Sequence, residues 1–230
     1  MASDKFNPES WMNEIRPMYR GADPAHDFSH IWRVYKNARI IGREEGADLQ
    51  VLLLAALLHD VGSEKKHITM SCESEGQGKR AVAAFLDSIG LEEAAREKVL
   101  YAVDVHRFSG KIVPVTLEAR ILQDADRLDA IGAIGIARVF LTGGALDREL
   151  CHPDDPFCRA REPDDTKWNL DHFYKKLLKL EFGMHTKSGK KLAAGRTTIL
   201  RRYLRDLEEE IGCMKIATEE LASRYLEKVE

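Results

Sequence analysis

Cysteine is scarce, with four in 230 residues (Cys72, Cys151, Cys158 and Cys213) at irregular spacing. That argues against a disulfide framework and suits a reducing compartment. Cys151 and Cys158 bracket CHPDDPFC, which includes His152, but a six-residue gap is wrong for a zinc knuckle and the two prolines make the segment a loop. No apolar run approaches the roughly 18 residues of a membrane span. The start, MASDKFNPES, carries no apolar signal-peptide core, so the expected location is the cytoplasm. A large charge of one sign is missing too. The net charge of −3 speaks against general nucleic-acid binding, which shows as a strongly basic domain, and leaves any phosphate-binding surface to a local cluster. Repeats, low-complexity tracts and a convincing series of strands are all wanting. What is present is 44% hydrophobic and 32% charged, a composition able to bury a sizeable core, and the length fits one domain with at most a small appendage.

The densest signal is Val51–Gly62, VLLLAALLHDVG, in which eight apolar residues run into His59 and Asp60. A helix apolar all round is buried all round. Burying an imidazole and a carboxylate at its end is costly unless something pairs with them, and a divalent cation takes both. His and Gly are also ordinary residues at a helix C-terminus, so this stretch alone leaves both readings open.

Elsewhere the periodicity is helical. Trp11, Ile15, Met18 and Tyr19 are spaced as a short helix that docks on the core. Ile31, Val34, Ala38 and Ile41 form one face of a helix that Ser29 or Asp27 caps and Gly46 ends, which puts His30 in its first turn. Residues 62–79 are hydrophilic and read as a loop of some twenty residues. Lys79–Ile89 and Leu91–His106 read as helices with Gly90 between them, and Pro114 closes a short extended link. Thr116–Phe140 carries an apolar stripe (Leu117, Ile121, Leu128, Ile131) interrupted by Asp124, Asp126 and Asp129; Asp is a poor interior helix residue, and of the three Asp126 is best placed to point inward. Gly143–Thr166 is acidic and loop-like, a lid or surface excursion. In WNLDHFYKKLLKLEFG, Asn169 is a cap and His172, Lys176 and Lys179 share one helical face, where cations can meet an anionic ligand. Leu192–Glu227 reads as two amphipathic helices broken near Gly212. The fold class expected is all-α.

His30, His59, Asp60 and Asp126 thus come from three helices and offer two imidazoles and two carboxylates without a thiol. That mixed donor set suits a borderline divalent ion and not a structural zinc site. In order, H…HD…D resembles the HD superfamily of metal-dependent phosphohydrolases. HDFSHIWRV, AALLHDVG, QDADRLDAIGAIGIAR and HFYKKLLKL extend the likeness, from about residue 20 to about 210, to a bacterial and archaeal subfamily of small stand-alone hydrolases that includes nucleotide pyrophosphohydrolases.

The resemblance implies a helical bundle, a single domain over 1–230 with its core at about 20–142 and a C-terminal helical part at about 166–230. It implies one divalent metal ion, manganese first, with Mg2+, Co2+, Ni2+, Fe2+ and Zn2+ as others. The ligands would be His30, His59, Asp60 and Asp126, with Asp60 also orienting the attacking water and His26 beside them. Glu64 is the candidate general base. His106 and Arg127 are substrate-binding candidates, His106 alternatively touching a ligand side chain and Arg127 alternatively locking its helix. His172, Lys176 and Lys179, with Lys65 and Lys66 behind them, would neutralise further phosphates. The expected reaction is metal-hydroxide attack on an α-phosphorus of a (deoxy)nucleoside triphosphate, giving monophosphate and pyrophosphate. Monophosphate dephosphorylation on the same site is the alternative, followed by a regulatory module that binds metal and nucleotide without turnover. An oxygen-activating two-iron site would need more histidines near the pair than His67 and His106. A small phosphorylated substrate is the expected partner, with neither nucleic acid nor membrane; a homodimer is left open.

Overall fold

The computed structural model describes residues 8–19, 28–62, 72–106 and 113–226. Among them the regular elements are helical: α1 (Pro8–Ile15) with a 3-10 turn (Arg16–Tyr19), α2 (Phe28–Glu45), α3 (Leu49–Leu58), α4 (Cys72–Ser88), α5 (Glu93–Val105), α6 (Leu117–Asp129), α7 (Gly132–Ala145), α8 (Asp171–Lys175), a 3-10 stretch (Leu177–Gly183) and α9 (Lys187–Leu226). The one β-type pairing among the described residues is an isolated bridge between Glu149 and Trp168. The all-α expectation holds. No single helix among the described residues is long and apolar enough to cross a membrane.

The chain divides into two compact units, 1–130 with 180–193, and 131–179 with 194–230. In the first, α3 is the centre. Asp48 caps it by accepting from the Gln50 and Val51 amides, and every residue from Val51 to Leu58 is buried. Helix α2 packs on α3 and α6 through Ile31, Val34, Ala38 and Ile41. It comes close to α3 at Gly42, where a Cβ would lie 2.4 Å from a Leu52 methyl. Asn37 Nδ2 donates to the Ala125 carbonyl and ties α2 to α6. The N-terminal segment docks as its apolar spacing requires: Ile15 is buried, and the Tyr19 hydroxyl donates to the Leu57 carbonyl at 2.7 Å.

The second unit contains α7, an irregular stretch, α8 and most of α9. Phe140, Phe173 and Tyr203 form an aromatic cluster with ring centroids 5.8–6.3 Å apart. Asp171 is fully buried and accepts from both terminal nitrogens of Arg161 and from the Asp164 amide. Cys151 and Cys158 are unpaired thiols, and burial pushes both upward in pKa, that of Cys158 to about 11.

Several boundaries differ from expectation for physical reasons. The hydrophilic stretch 62–79 is helical from Cys72 onward. Its signal was hidden because α4 touches the turn after Asp60 through Gly78, where a Cβ would meet the Val61 carbonyl at 2.5 Å, and not through an apolar side chain. Thr116–Phe140 is two helices, α6 and α7, separated at Ala130–Ile131 with Gly132 at φ +76°. Ser29 lies inside α2, with its hydroxyl accepting from Arg33, so it is no cap. Nor is Asn169: no side chain caps α8, and Asn169 Nδ2 donates to the Arg148 carbonyl. Helix α9 runs unbroken through Gly212, since one interior glycine costs about 1 kcal/mol, too little to end a helix.

Candidate functional site

At the C-terminal end of α3 the backbone turns through His59–Gly62, with Gly62 at φ +79°. His59 and Asp60, each about 95% or more buried, face the first turn of α2 and the last turns of α6 there. His30 Nε2 lies 3.4 Å from His59 Nε2, and Asp60 Oδ2 lies 3.6 and 3.7 Å from those two nitrogens. Asp126 Oδ1 is 3.5 Å from His30 Nε2, and His106 Nε2 is 3.6 Å from Asp60 Oδ1.

These separations exceed a good hydrogen bond, about 2.7–3.2 Å. A triangle with edges near 3.6 Å has its centre about 2.1 Å from each corner, the length of a bond from a divalent metal to imidazole or carboxylate. The donor set therefore fits an ion: His30, His59 and Asp60 can hold one, with Asp126 at the edge of the group.

Each imidazole is turned by a bond on its other nitrogen. His30 Nδ1 meets Asp129 Oδ2 at 2.7 Å, while His59 Nδ1 and His106 Nδ1 donate to the carbonyls of Ala56 and Val103, three residues back. A hydrogen bond at Nδ1 fixes the tautomer and leaves Nε2 for the centre. Asp129 is in turn held by Arg33, with Nε at 2.6 Å and Nη2 at 3.0 Å. A chain Arg33–Asp129–His30 thus stands behind the first imidazole.

The electrostatics follow. Burial works against a charged His30, but Asp129, Asp60 and Asp126 outweigh it and raise its pKa to about 9. For His59 burial dominates and lowers the value to about 4. Burial pushes Asp60 up, yet the imidazoles of His59, His106 and His30 hold it well below the usual carboxylate range. Asp126 is lowered by the same contest between burial and His30 with His59. Tyr19 is raised by burial and then by the Asp60 charge.

Of the three aspartates on α6, Asp126 was expected to point inward most. Asp124 and Asp129 are the buried ones, at 0% and 1% exposure, whereas the Asp126 side chain is 34% exposed and still borders the centre. Asp124 belongs elsewhere: it accepts from the His185 and Thr186 amides and from Thr186 Oγ1, at 2.7–2.8 Å. Sequence reasoning missed Asp129, Asp124 and His185. The available signal for Asp129 was its i+3 spacing from Asp126, which puts both on one helical face.

Arg127 is mostly buried and ties α6 to the segment before α9. Its Nη1 donates to the Gly183 carbonyl and its Nη2 to Gln123 Oε1. His106 is buried at the centre, beside Asp60. Glu64, His26, Lys65, Lys66 and His67 lie outside the described residues. His172, Lys176 and Lys179 belong to the second unit, and α8 stops at Lys175, so no continuous α-helix aligns them. The His172 ring pairs with Asp165 Oδ2 at 2.8 Å, and both lysines are exposed.

Beside the centre, between the end of α3, α4 and α5, is a cavity of about 410 Å³ whose lining includes His59 and His106.

Residues 27–131 match the HD domain family model. The chain is 33% identical over 193 residues to YpgQ of Bacillus subtilis (strain 168), spanning 81% of this chain and 84% of the relative. The solved structure of B. subtilis YpgQ in complex with ADP is similar at a TM-score of 0.69 and 30% identity, covering 89% of this chain and 98% of that one. An HD-superfamily hydrolase from Bacillus thuringiensis is similar at a TM-score of 0.70 and 31% identity, covering 89% and 96%. The family match begins just before α2 and ends just after α6, the span that supplies His30, His59, Asp60 and Asp126, and with these relatives it shows that the chain belongs to the HD domain family.

Proposed function

We propose that this protein is a metal-dependent phosphohydrolase that cleaves (deoxy)nucleoside triphosphates to the monophosphate and pyrophosphate. The observation that carries the reading is the triangle of His30, His59 and Asp60 with Asp126 at its edge, spaced for one ion. Those four residues would hold a divalent cation; a mixed nitrogen and oxygen donor set accepts manganese, the first candidate, and also magnesium, cobalt, nickel, iron or zinc. When bound, such an ion acidifies a water and polarises a phosphoryl oxygen.

The rest falls to the chain's own residues. Asp60 has one oxygen toward His30 and His59 and the other toward His106, so its carboxylate orients the attacking water by accepting a hydrogen bond. The water oxygen bonds to the α-phosphorus, the bond from that phosphorus to the bridging oxygen breaks, and pyrophosphate leaves with the bridging oxygen. His106 Nε2, turned inward by the bond from Nδ1 to Val103, is placed to accept or return the proton. Asp129 keeps the His30 ring in register. That a relative is solved in complex with ADP supports a nucleotide as the phosphorylated substrate.

The test is a hydrolysis screen of nucleoside mono-, di- and triphosphates with manganese, magnesium, cobalt and nickel, reading phosphate and pyrophosphate separately. Pyrophosphate from triphosphates, lost in His59→Ala, is the expected result. Phosphate from monophosphates alone would move the protein to the nucleotidases with the same centre. No turnover on any substrate, with metal bound, would sink the hydrolase reading and favour a binding module.

A further inference from the structure

The cavity beside the centre differs in character from the centre itself. At its inner end stand His59 and His106, which it shares with the metal-binding group. Away from them the walls become apolar, with Val82, Ala83, Leu100 and Val103 in the lining. Lys79, Val82 and Ala83 recur at i, i+3 and i+4, so a single face of α4 supplies one wall. Gly78 sets how close that wall stands, since its missing Cβ lets α4 rest on the Val61 carbonyl.

A site built for phosphate alone would be polar and cationic throughout. Here apolar walls adjoin a few polar groups, and about 410 Å³ lies within the roughly 300–1,000 Å³ typical of small organic ligands. The polar groups are of both kinds. Lys79 pairs with Asp104, both largely exposed, so a cationic donor and a carboxylate acceptor stand side by side. The Tyr101 hydroxyl accepts from the Val115 amide, which leaves its own proton to donate. A ligand that meets apolar walls, a donor and an acceptor while reaching two imidazoles with its other end has a flat, heteroatom-edged body and an anionic tail.

We propose that this cavity takes the nucleoside part of the substrate. The base lies against Val82, Ala83 and Leu100, Lys79 and Asp104 meet its edge or the sugar hydroxyls, and the phosphates run past His59 and His106 to the metal-binding group. This assignment rests on the nucleotide reading of the site, and it makes α4 and α5 the elements that set which nucleoside is preferred.

The experiment is titration calorimetry on the manganese-loaded full chain with two probes, ADP and inorganic pyrophosphate, the latter offering phosphates without a nucleoside. In Ala83→Phe, which fills the cavity, ADP binding weakens at least tenfold while pyrophosphate affinity and metal content stay within twofold of the parent. Equal ADP affinity in the variant and the parent overturns the assignment, and so does an equal loss for both probes. Should Ala83→Phe fail to fold, the exposed pair gives the second variant. Lys79→Ala with Asp104→Asn lowers ADP affinity several-fold and leaves pyrophosphate unchanged, and an unchanged ADP affinity there overturns the assignment as well. Because these are binding measurements, they decide the cavity's role even where the hydrolysis screen is silent, so the two readings fail separately.

Discussion

Helix α6 carries two carboxylates two residues apart that have opposite fates. Two residues are about 200° of helical rotation, so Asp124 and Asp126 leave the helix on opposing sides. Asp124 meets the start of α9. It accepts two amide protons and the Thr186 hydroxyl, while Thr186 Oγ1 accepts from the Gly189 amide and so caps that helix. An anion at a helix N-terminus is where the macrodipole favours it. Gly189 completes the fit, since a Cβ there would lie 2.4 Å from Asp124 Oδ2. Asp126 meets histidines and another carboxylate at a spacing suited to something between them, and it keeps a third of its surface exposed. The first carboxylate is satisfied by the protein and holds it together. The second borders a group whose spacing fits an ion.

The sharpest way to break this contrast is to remove each carboxylate in turn. Asp126→Ala is expected to lower metal affinity and turnover by at least about 100-fold, more than loss of an outer partner usually costs, with the helical circular dichroism and the melting temperature almost unchanged. Full activity in that variant would take Asp126 out of the site. Asp124→Ala should do the reverse. Leaving two buried donors of Thr186 and the partly buried His185 amide without their acceptor costs about 1–3 kcal/mol for each buried donor before relaxation, so a net loss of about 3 kcal/mol and a melting temperature lower by about 6–12 °C are expected. The surviving folded protein should still bind metal. If both variants lose metal equally at a temperature where both are folded, the division between the two carboxylates is wrong.

Much of this was legible in the sequence because burial writes itself as pattern. Eight apolar residues running into His59-Asp60 can only be a core helix with a polar end, and the H…HD…D order assembled the rest of the group. Less legible was whatever depended on a neighbour distant in the chain. Asp124, Asp126 and Asp129 look alike in sequence, and only the arrival of Thr186 at one and His30 at the other two distinguishes them. The lysine stripe failed for a local reason, since α8 gives way to 3-10 geometry after Lys175 and the i, i+4, i+7 arithmetic no longer applies. The start of α4, before Lys79, was hidden because its contact with the turn after Asp60 is made by Gly78, which has no apolar side chain to show in a periodicity.

Asp129 sits between the two cases, and a substitution there sharpens the contrast without abolishing either side. Its carboxylate is bonded to the His30 imidazole and to Arg33, so it is both satisfied and close to the centre. Asp129→Asn keeps the shape but weakens the hold on the Nδ1 proton of His30 and removes the charge opposite Arg33. Outer partners of this kind are worth about 10–100-fold in metal affinity. A loss in that range, with the melting temperature lowered by only a few degrees, is expected from metal titration of the variant. An affinity equal to the parent's would show that the His30 ring is held by packing alone.

The smallest effect concerns a third satisfied carboxylate, Asp171 in the second unit. Burial pushes its pKa upward, but the paired bonds from Arg161 and the Asp164 amide outweigh burial and leave it below the ordinary value. A carboxyl whose pKa is lowered on folding contributes stability that is fully present above the unfolded value, about 3.9, and is lost as pH falls through the folded value. The second unit should therefore weaken only on the acid side of about pH 4. Arg161 lies over the Trp168 ring at 4.6 Å, so tryptophan fluorescence can follow that transition. In Asp171→Asn the acid-side slope should flatten and stability at neutral pH should fall. An unchanged slope would mean that the Arg161 pair is replaced by an equivalent one in the unfolded chain and contributes nothing net, which would set Asp171 apart from Asp124 in spite of their equal burial.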